Sequence, residues 1–269
     1  MISNRLKTLW AEGKPTINGW CSIGNAFSAE IMAAQGFDSI TVDMQHGALD
    51  YSHLLPMFQA MRASGVLLMA RVPWLEPGII MKALDAGAYG IICPMVNTAA
   101  QAAEFVSYLR YPPLGQRSYG PTRVSIAAGA SYAGRANDTI LAFAMIETAE
   151  GMANLDAIAA TPGLDGLYVG PADLALSLSQ GQLPPGFDRE EPQMIAALHS
   201  IVAACKRNGL RAGLHCGTPD YAARAIGWGF DMTTVGGDSR FLAAAAGAAV
   251  AGFRKLTDAV AGKPDTGAY

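Results

Sequence analysis

Two carboxylates in this sequence have the residue type and the setting of metal ligands. Glu147 closes one short apolar run, and Asp173 ends the turn Gly170–Asp173 that follows the next one. A pair of carboxylates with open remaining positions suits a hard divalent ion such as Mg²⁺ or Mn²⁺, which keeps water or accepts substrate oxygens. The alternatives are a salt bridge for Glu147 and a helix N-cap for Asp173. Since Asp173 can cap a helix and still bind a metal, the pair favours a metal site.

A histidine and a carboxylate follow an earlier apolar run. His46 stands three residues after Asp43, so a hydrogen bond from the imidazole N–H to the carboxylate could fix the tautomer of the imidazole and make it a general base. An isolated histidine beside glycine is more often a surface or packing residue. The position of His46 directly after a predicted strand favours the catalytic role.

Arg71 ends a third apolar run, where its permanent charge would be buried. A buried guanidinium is costly unless it meets an anion. A substrate carboxylate or a developing enolate would supply one, and a structural ion pair with Asp43 or Glu147 is the alternative.

The turn of Gly170, Pro171, Ala172 and Asp173 leads into a helix predicted to begin near Leu174. Backbone N–H groups at a helix start attract anions, so this turn is expected to hold a substrate carboxylate beside the metal. His215 also follows an apolar run, and we leave open whether it supports the site.

Lysine placement bears on the mechanism. The six lysines (Lys7, Lys14, Lys82, Lys206, Lys255 and Lys263) lie near the termini or on predicted helices. A Schiff-base mechanism needs a desolvated lysine at the site, so the sequence disfavours it. There is no nucleophile elbow and no P-loop either.

These side chains lie at the ends of predicted strands that are almost continuously apolar, which is typical of parallel strands buried on both faces. The predicted strands are Gly19–Ile23, Ser39–Asp43, Val66–Val72, Gly90–Met95, Ala142–Glu147, Gly166–Gly170, Arg211–Leu214 and Met232–Val235. The predicted helices between and after them are Ser28–Gln35, Tyr51–Ala63, Pro77–Ala86, Ala99–Leu109, Met152–Thr161, Pro192–Asn208, Pro219–Gly227 and Ser239–Asp258.

Eight strand–helix units in about 250 residues predict a TIM (β/α)8 barrel of the α/β class. We expect one domain over residues 1–269. A doubly wound open sheet is the alternative, but the turn Ser22–Ala26 lacks the glycine pattern of a dinucleotide site. In a TIM barrel the C-terminal strand ends meet at one rim, so the polar residues above should converge there.

Two connections are long enough to be functional loops or interfaces, Arg110–Thr139 and Ser177–Pro192. The first contains Arg117, Arg123 and Arg135, which could bind a carboxylate or a polyol on a substrate or make ordinary surface contacts.

Composition excludes several classes of function. The net charge is −3 with scattered basic residues, which makes nucleic acid an unexpected partner. Met1–Trp10 has no signal-peptide pattern, and the apolar run Phe241–Phe253 is too short to span a bilayer. The four cysteines have apolar flanks and are expected to be reduced core residues. We therefore expect a soluble cytoplasmic enzyme, with Thr266–Tyr269 frayed.

The ordered motifs Thr41–Gly47, Ala70–Pro73, Pro94–Thr98, Ile146–Thr148 and Val169–Leu174 together resemble the HpcH/HpaI aldolases, which are class II pyruvate aldolases. The resemblance runs from about Gly19 to Leu242. It implies a lyase that reversibly cleaves 4-hydroxy-2-oxo acids to pyruvate, or a similar 2-oxo acid, and an aldehyde.

The resemblance also implies roles for individual residues. It implies a divalent metal (Mg²⁺, Mn²⁺ or Co²⁺) on Glu147 and Asp173, proton transfer by His46 oriented by Asp43, and stabilisation of the pyruvate enolate by Arg71.

For the assembly, the resemblance implies a hexamer in which a C-terminal helix is exchanged between subunits, and Phe241–Phe253 could be that helix. Asp85 matches a family position that approaches a neighbouring subunit's site. Two departures, Gln45 where many members have Glu and Met145 where some have Gln, leave the substrate open.

Two functions other than an aldolase are alternatives for this sequence. A related metal-dependent barrel could cleave a citramalyl- or malyl-CoA-like thioester, although no basic cluster for a CoA tail stands out. A non-catalytic barrel would not need two carboxylates, a histidine and an arginine on one rim.

Overall fold

Eight parallel strands close into a barrel within residues 3–261, the part of the chain that this computed structural model describes, with side chains to residue 257. Each strand pairs with the next, and β8 returns to pair with β1. The strands are β1 Thr16–Cys21, β2 Ser39–Asp43, β3 Leu67–Arg71, β4 Gly90–Cys93, β5 Leu141–Ile146, β6 Gly166–Val169, β7 Arg211–His215 and β8 Met232–Gly237. The predicted TIM (β/α)8 fold is confirmed. Lys263 and the predicted fraying of Thr266–Tyr269 lie outside the described residues.

The apolar runs become strands because both of their faces are covered. Every residue of β2 to β6 is buried, one face by the helices and the other by the barrel interior.

The first strand begins earlier than its apolar pattern predicted. Asn18 lies inside the barrel, where it donates a hydrogen bond to Thr234 (2.8 Å) and accepts one from Ser39 (2.9 Å) and one from Thr41 (3.1 Å). A buried polar group is stable when its hydrogen bonds are satisfied. This internal polar layer is the reason why an apolar pattern alone gave Gly19–Ile23 for a strand that begins at Thr16.

Helices follow the strands and form the outer layer. They are α1 Arg5–Ala11, α2 Ala26–Ala33, α3 Tyr51–Met61, α4 Pro77–Ala86, α5 Ala99–Leu109, α6 Thr122–Ala128, α7 Tyr132–Thr139, α8 Ala149–Ala153, α9 Leu155–Ala159, α10 Pro171–Leu178, α11 Pro192–Arg207, α12 Pro219–Trp228 and α13 Asp238–Ala261. A 3₁₀ turn over Arg62–Ser64 extends α3. Gly87 and Gly229 end α4 and α12 in the left-handed conformation, which glycine adopts without steric cost.

Two helical regions differ from the sequence prediction. The connection Arg110–Thr139 contains α6 and α7, and tertiary contacts hold them in place, among them hydrogen bonds from Arg123 to the carbonyls of Ala86 and Phe58. The predicted helix Met152–Thr161 is two short helices that meet at Asn154, whose side chain donates to the Asn97 carbonyl (2.8 Å).

The core residues include the four cysteines, which are buried and not disulfide-bonded, as predicted. Among the described residues no helix combines the length and the apolarity that crossing a membrane would require.

Candidate active site

The strand ends meet at a cavity of about 260 Å³ at the C-terminal face of the barrel. Its lining combines the ends of β1 to β3, β5 to β8 and the loops that follow them. The lining residues are Trp20, Ser22, Asp43, His46, Arg71, Met145, Glu147, Gly170, Pro171, Ala172, Asp173, Phe187, His215, Gly237, Ser239 and Arg240. The structure therefore brings together every predicted site residue except Asp85.

Asp43 and Arg71, with His46, form what we call the β2–β3 corner. Parallel register places Asp43 directly beside Arg71. The Arg71 guanidinium donates two hydrogen bonds, from Nε to Oδ1 (2.8 Å) and from Nη2 to Oδ2 (2.7 Å). Both side chains are buried. The structural ion pair with Asp43, which was the alternative role for Arg71, is thus present. The same guanidinium also lines the cavity.

Trp20 completes this corner, and the sequence analysis did not single it out. Its indole N–H donates to Asp43 Oδ2 (3.1 Å), and the Arg71 guanidinium lies 4.9 Å from its ring centroid. Burial by itself would raise the pKa of Asp43, but the hydrogen bonds and charge of Arg71, with the Trp20 N–H, hold it below its usual value. Asp43 is therefore an ionised, fully bonded carboxylate at neutral pH.

His46 lies exposed at the rim of the cavity. Within the described residues the Asp43 carboxylate does not bond the imidazole, which differs from the sequence prediction. It accepts instead from the backbone N–H groups of Gln45 (3.1 Å) and His46 (3.3 Å). Because Arg71 and Trp20 occupy the other directions around the carboxylate, Asp43 positions the turn that carries His46 rather than the ring itself.

Glu147 and Asp173 form the β5–β6 corner. Glu147 is buried, and its Oε1 accepts one hydrogen bond from the Met95 backbone N–H (2.8 Å). Met95 has a φ of 56°, a conformation that is uncommon for residues other than glycine. The motif Pro94–Thr98 thus has a role that the sequence did not reveal, because a backbone donor leaves no mark on residue type.

The charge of Glu147 is poorly compensated within the chain. Burial raises its pKa to about 7, the Met95 hydrogen bond opposes this rise, and the negative charge of Asp173 adds to it. Glu147 is buried and Asp173 is exposed to the cavity, and a buried carboxylate beside a second negative charge is stabilised by a cation.

Asp173 reaches this corner because α10 begins at Pro171, earlier than predicted. Proline is favoured at the first position of a helix, and Gly170 is the N-cap residue. Asp173 is therefore not the N-cap, which was the alternative role considered for it. It stands in the first turn and faces the cavity.

Gly170 lies in close contact with two side chains of β5 and its end. A Cβ atom at this position would clash with Glu147 Oε2 and would meet Met145 Cε at 2.7 Å. Glycine therefore lets the β6 backbone pass near the carboxylate in its present position, and a larger residue would displace it. The β5–β6 corner thus depends on a missing side chain as much as on its two charges.

The donor set of this corner fits a divalent ion. Its candidate ligands are carboxylate oxygens, which hard cations prefer. In the part of the chain that the structure describes, the positive charge that lowers the pKa of Glu147 is that of Arg71, which is already paired with Asp43. Within the described residues no third His, Cys, Asp or Glu gathers with them. Glu147 and Asp173 would therefore hold such an ion with positions left for water and substrate oxygens.

His215 lies on the cavity wall among aromatic rings. It stacks on Phe187 with ring centroids 4.6 Å apart, and Trp20 meets it edge-on at 4.7 Å. Burial lowers its pKa to about 3, and the charges of Arg71 and Arg240 act in the same direction. His215 is thus a neutral side chain at neutral pH, and it supports the wall of the cavity.

The long connection after α10 brings Phe187 to the site. Asp188 anchors this loop by accepting hydrogen bonds from the Gly217 N–H (2.7 Å) and the Thr218 hydroxyl (2.7 Å). The prediction that one of the long connections contributes to function is consistent with this placement.

The arginines of the other long connection lie elsewhere. Arg117 is buried, pairs with Asp85 (2.6 Å) and donates to the Tyr132 hydroxyl (3.1 Å). Arg123 bonds backbone carbonyls, and Arg135 is exposed. None of the three lines the cavity, so within one described chain they do not contact a substrate there. Asp85 stands in the last turn of α4, also away from the cavity.

The cavity contains residues that sequence reasoning did not select, and they share one side. Ser22, Gly237, Ser239 and Arg240 come from the ends of β1 and β8 and the start of α13, and we call them the β8–β1 wall. None of the described lining residues is a lysine.

A TIM barrel with a carboxylate pair and an arginine–aspartate pair at its C-terminal face is built for chemistry on a small oxygen-rich anion. The chain belongs to the HpcH/HpaI aldolase/citrate lyase family, whose model matches residues 18–245. This confirms the family that the motifs resembled.

Known relatives cover almost all of the chain. It is 40% identical over 253 residues to the hydroxypyruvate/pyruvate aldolase of Rhizorhabdus wittichii, which covers 94% of this chain and 100% of that protein. It is 35% identical over 240 residues to the 5-keto-4-deoxy-D-glucarate aldolase of Klebsiella pneumoniae subsp. pneumoniae, covering 88% and 92%. A solved HpcH/HpaI aldolase/citrate lyase family protein from Burkholderia cenocepacia superposes with a TM-score of 0.85 at 31% identity, covering 94% and 100%.

Proposed function

We propose that this protein is a class II pyruvate aldolase, which reversibly cleaves 4-hydroxy-2-oxo acids to a 2-oxo acid and an aldehyde. The observation that carries this proposal is the convergence of the β2–β3 and β5–β6 corners on one cavity. Relatives of this chain are named as aldolases. Since one of them acts on hydroxypyruvate and pyruvate, either compound is a candidate for the 2-oxo acid.

Glu147 and Asp173 would hold a divalent ion, which would supply positive charge to stabilise the developing enolate. Mg²⁺, Mn²⁺ and Co²⁺ all fit carboxylate ligands with open positions. The backbone N–H groups of Ala172 and Asp173, in the first turn of α10, would hold the carboxylate of the 2-oxo acid.

In the cleavage direction, His46 takes the proton of the C4 hydroxyl group. The C3–C4 bond breaks, the C4 oxygen becomes the aldehyde carbonyl, and the electron pair of the broken bond moves into the 2-oxo group as an enolate. The Arg71 guanidinium, held rigid by Asp43 and Trp20, stabilises this negative charge. A proton delivered to C3 then yields the 2-oxo acid, and aldol addition is the reverse.

The proposal is tested by asking whether added metal restores the aldol activity of metal-free protein. Chelator-treated protein should stop consuming pyruvate with an aldehyde, and added Mg²⁺, Mn²⁺ or Co²⁺ should restore the reaction. Glu147→Gln keeps the size of the side chain and removes its charge, so metal should not restore that variant. Glu150→Gln is the matched control, because Glu150 is an exposed carboxylate three residues along the chain.

Full activity after complete metal removal, with loss of activity on borohydride treatment, would replace this proposal with a Schiff-base mechanism. The thioester-cleaving alternative is not favoured, because the named relatives above are aldolases. Assaying thioester cleavage beside aldol cleavage separates the two reactions.

For the assembly we propose an oligomer, a hexamer by the family resemblance, in which α13 packs on a partner subunit. In the described chain α13 exposes Phe241, Leu242, Val250, Phe253 and Leu256, an apolar face that water does not favour. We expect light scattering to show an oligomer, and Phe253→Ser with Leu256→Ser to weaken it. A monomer at micromolar concentration would contradict this proposal, and with it a role for Asp85 in a neighbouring site.

A further inference from the structure

Arg240 is a cation in the cavity without a carboxylate partner. It is the third residue of α13, its side chain is exposed to the cavity, and its guanidinium carbon lies 4.9 Å from the Phe187 ring centroid. Within residues 3–257 it forms no ion pair and no hydrogen bond to another group of the chain. Stacking on the aromatic ring orients the guanidinium and leaves its N–H donors free.

The other charges of the cavity are already matched. Arg71 is bound at two points by Asp43, and Glu147 with Asp173 forms the site for a divalent cation. Arg240 is therefore the charge that a ligand would have to balance. An arginine poised to donate several hydrogen bonds suits a carboxylate.

The nearest carboxylate on its own helix does not serve Arg240. Asp238 is buried and accepts the backbone N–H groups of Ser22 (2.8 Å), Ile23 (3.1 Å) and Ser239 (2.7 Å). These hydrogen bonds fix the start of α13 against the end of β1 and so position Arg240. They also occupy both carboxylate oxygens of Asp238, which therefore does not pair with Arg240.

The position of Arg240 in the barrel suits contact with the aldehyde-derived end of the substrate. In the closed order of eight strands, β8 lies two strands from β6, and β1 lies beside β2. The β8–β1 wall is therefore a side of the cavity separate from the β5–β6 corner and next to the β2–β3 corner. A substrate whose 2-oxo acid end is held at the β5–β6 corner, with its C4 hydroxyl group at His46, can direct the part of its chain beyond C4 toward this wall. Ser22 and Ser239 add hydroxyl groups to the same lining.

We propose that Arg240 is a specificity-determining residue that selects aldehydes carrying a carboxylate, and that it binds this carboxylate on the β8–β1 wall. The inference rests on the proposed aldolase function and adds to it the chemical class of the aldehyde. The arginines Arg117, Arg123 and Arg135, considered for this role from the sequence, do not reach the cavity.

The test compares two aldehydes that differ by one charge, 4-oxobutanoate and its methyl ester, with saturating pyruvate and metal. The variants are Arg240→Gln, which removes the charge, and Arg240→Lys, which keeps it without the planar fork. Arg254→Gln is the matched control, because it removes an exposed arginine from the same helix outside the cavity.

We expect Arg240→Gln to lower the ratio of kcat/KM for the acid to kcat/KM for the ester by about tenfold, which is typical of one charge-assisted hydrogen bond. The change should lie mainly in KM for the acid. Arg240→Lys should keep part of the preference, and Arg254→Gln should keep all of it.

An unchanged ratio in Arg240→Gln, or equal losses with both aldehydes, would overturn the role of Arg240 and leave the aldolase function standing. Equal losses accompanied by a raised KM for pyruvate would place the contact on the 2-oxo acid instead. Wild-type protein that condenses pyruvate with neither aldehyde under any metal would overturn the aldolase function and the specificity role together.

Discussion

The two corners of the cavity solve the burial of charge in opposite ways. At the β2–β3 corner the Asp43 carboxylate is neutralised by Arg71 and bonded by Trp20. At the β5–β6 corner Glu147 has one backbone donor and a second carboxylate nearby. The first corner is complete when the chain folds, and we propose that a cation completes the second. A rigid ion pair beside such a proposed metal site suits catalysis, which depends on preorganised charge.

The largest expected effect concerns the proton-transfer residue of the complete corner. We expect His46→Asn to lower kcat by roughly 10²–10⁴-fold, as removal of a general base typically does. Because His46 is exposed and Asp43 bonds its backbone rather than its ring, the melting temperature should stay near that of the wild type. Steady-state kinetics and calorimetry check this. A variant that keeps full turnover would remove His46 from the mechanism.

Breaking the complete corner itself should cost stability. In Asp43→Asn the Arg71 guanidinium stays buried without its counter-charge, and removal of one partner from a buried ion pair typically costs about 3–5 kcal/mol. Denaturant unfolding measures this loss. Asp50→Asn is the control, because Asp50 is exposed and pairs only with the nearby His53 and Ser52. Equal stability of the two variants would contradict the contrast between the corners.

At the incomplete corner, removal of the carboxylate should stabilise the metal-free protein at high pH, whereas at the complete corner it should destabilise the protein. The folded pKa of Glu147, about 7, lies above its unfolded value, so its contribution to stability is present below about pH 4.5 and is lost as pH rises toward 7. Chelator-treated Glu147→Gln should therefore match the treated wild type at pH 5. At pH 8 it should be the more stable protein, by on the order of 2–3 kcal/mol.

Added Mg²⁺ should reverse that difference at pH 8, because the cation supplies the missing counter-charge to the wild type alone. Melting curves at several pH values, with and without metal, test both statements. A pH-independent difference between the variants would mean that Glu147 is compensated within the chain.

The smallest effect expected is that of a single methyl group at the incomplete corner. In Gly170→Ala the new Cβ must displace the Glu147 carboxylate or Met145, and we expect metal affinity to fall by about 10–100-fold, the usual cost of disturbing the support of a metal ligand. Gly134→Ala is the control, since a Cβ there meets nothing within 4 Å. Calorimetric titration with Mn²⁺ measures the affinities, and an unchanged value for Gly170→Ala would mean that the corner tolerates the shift.

Residue type and strand-end position were enough to predict which charged groups meet. Asp43, Arg71, Glu147 and Asp173 each follow a buried apolar run, and the barrel architecture brings such positions to one rim. The strand-end rule did not predict Arg240, because this residue lies after β8, at the start of a helix. The alanine-rich sequence of that helix indicated packing rather than a functional site. Met95 could not be predicted either, since its contribution is a backbone N–H in an unusual conformation.

The sequence alone predicted the barrel, the family and the ionisable groups of the cavity lining, with the exception of Arg240. Apolar periodicity and helix signals are local, so they can be read along the chain. Tertiary structure decided how the charges are paired. Strand register joins Asp43 to Arg71, the absence of a side chain at Gly170 leaves room for the Glu147 carboxylate, and closure of β8 onto β1 leaves Arg240 facing the cavity. Electrostatic partners depend on distances between residues far apart in sequence, and only the folded chain sets those distances.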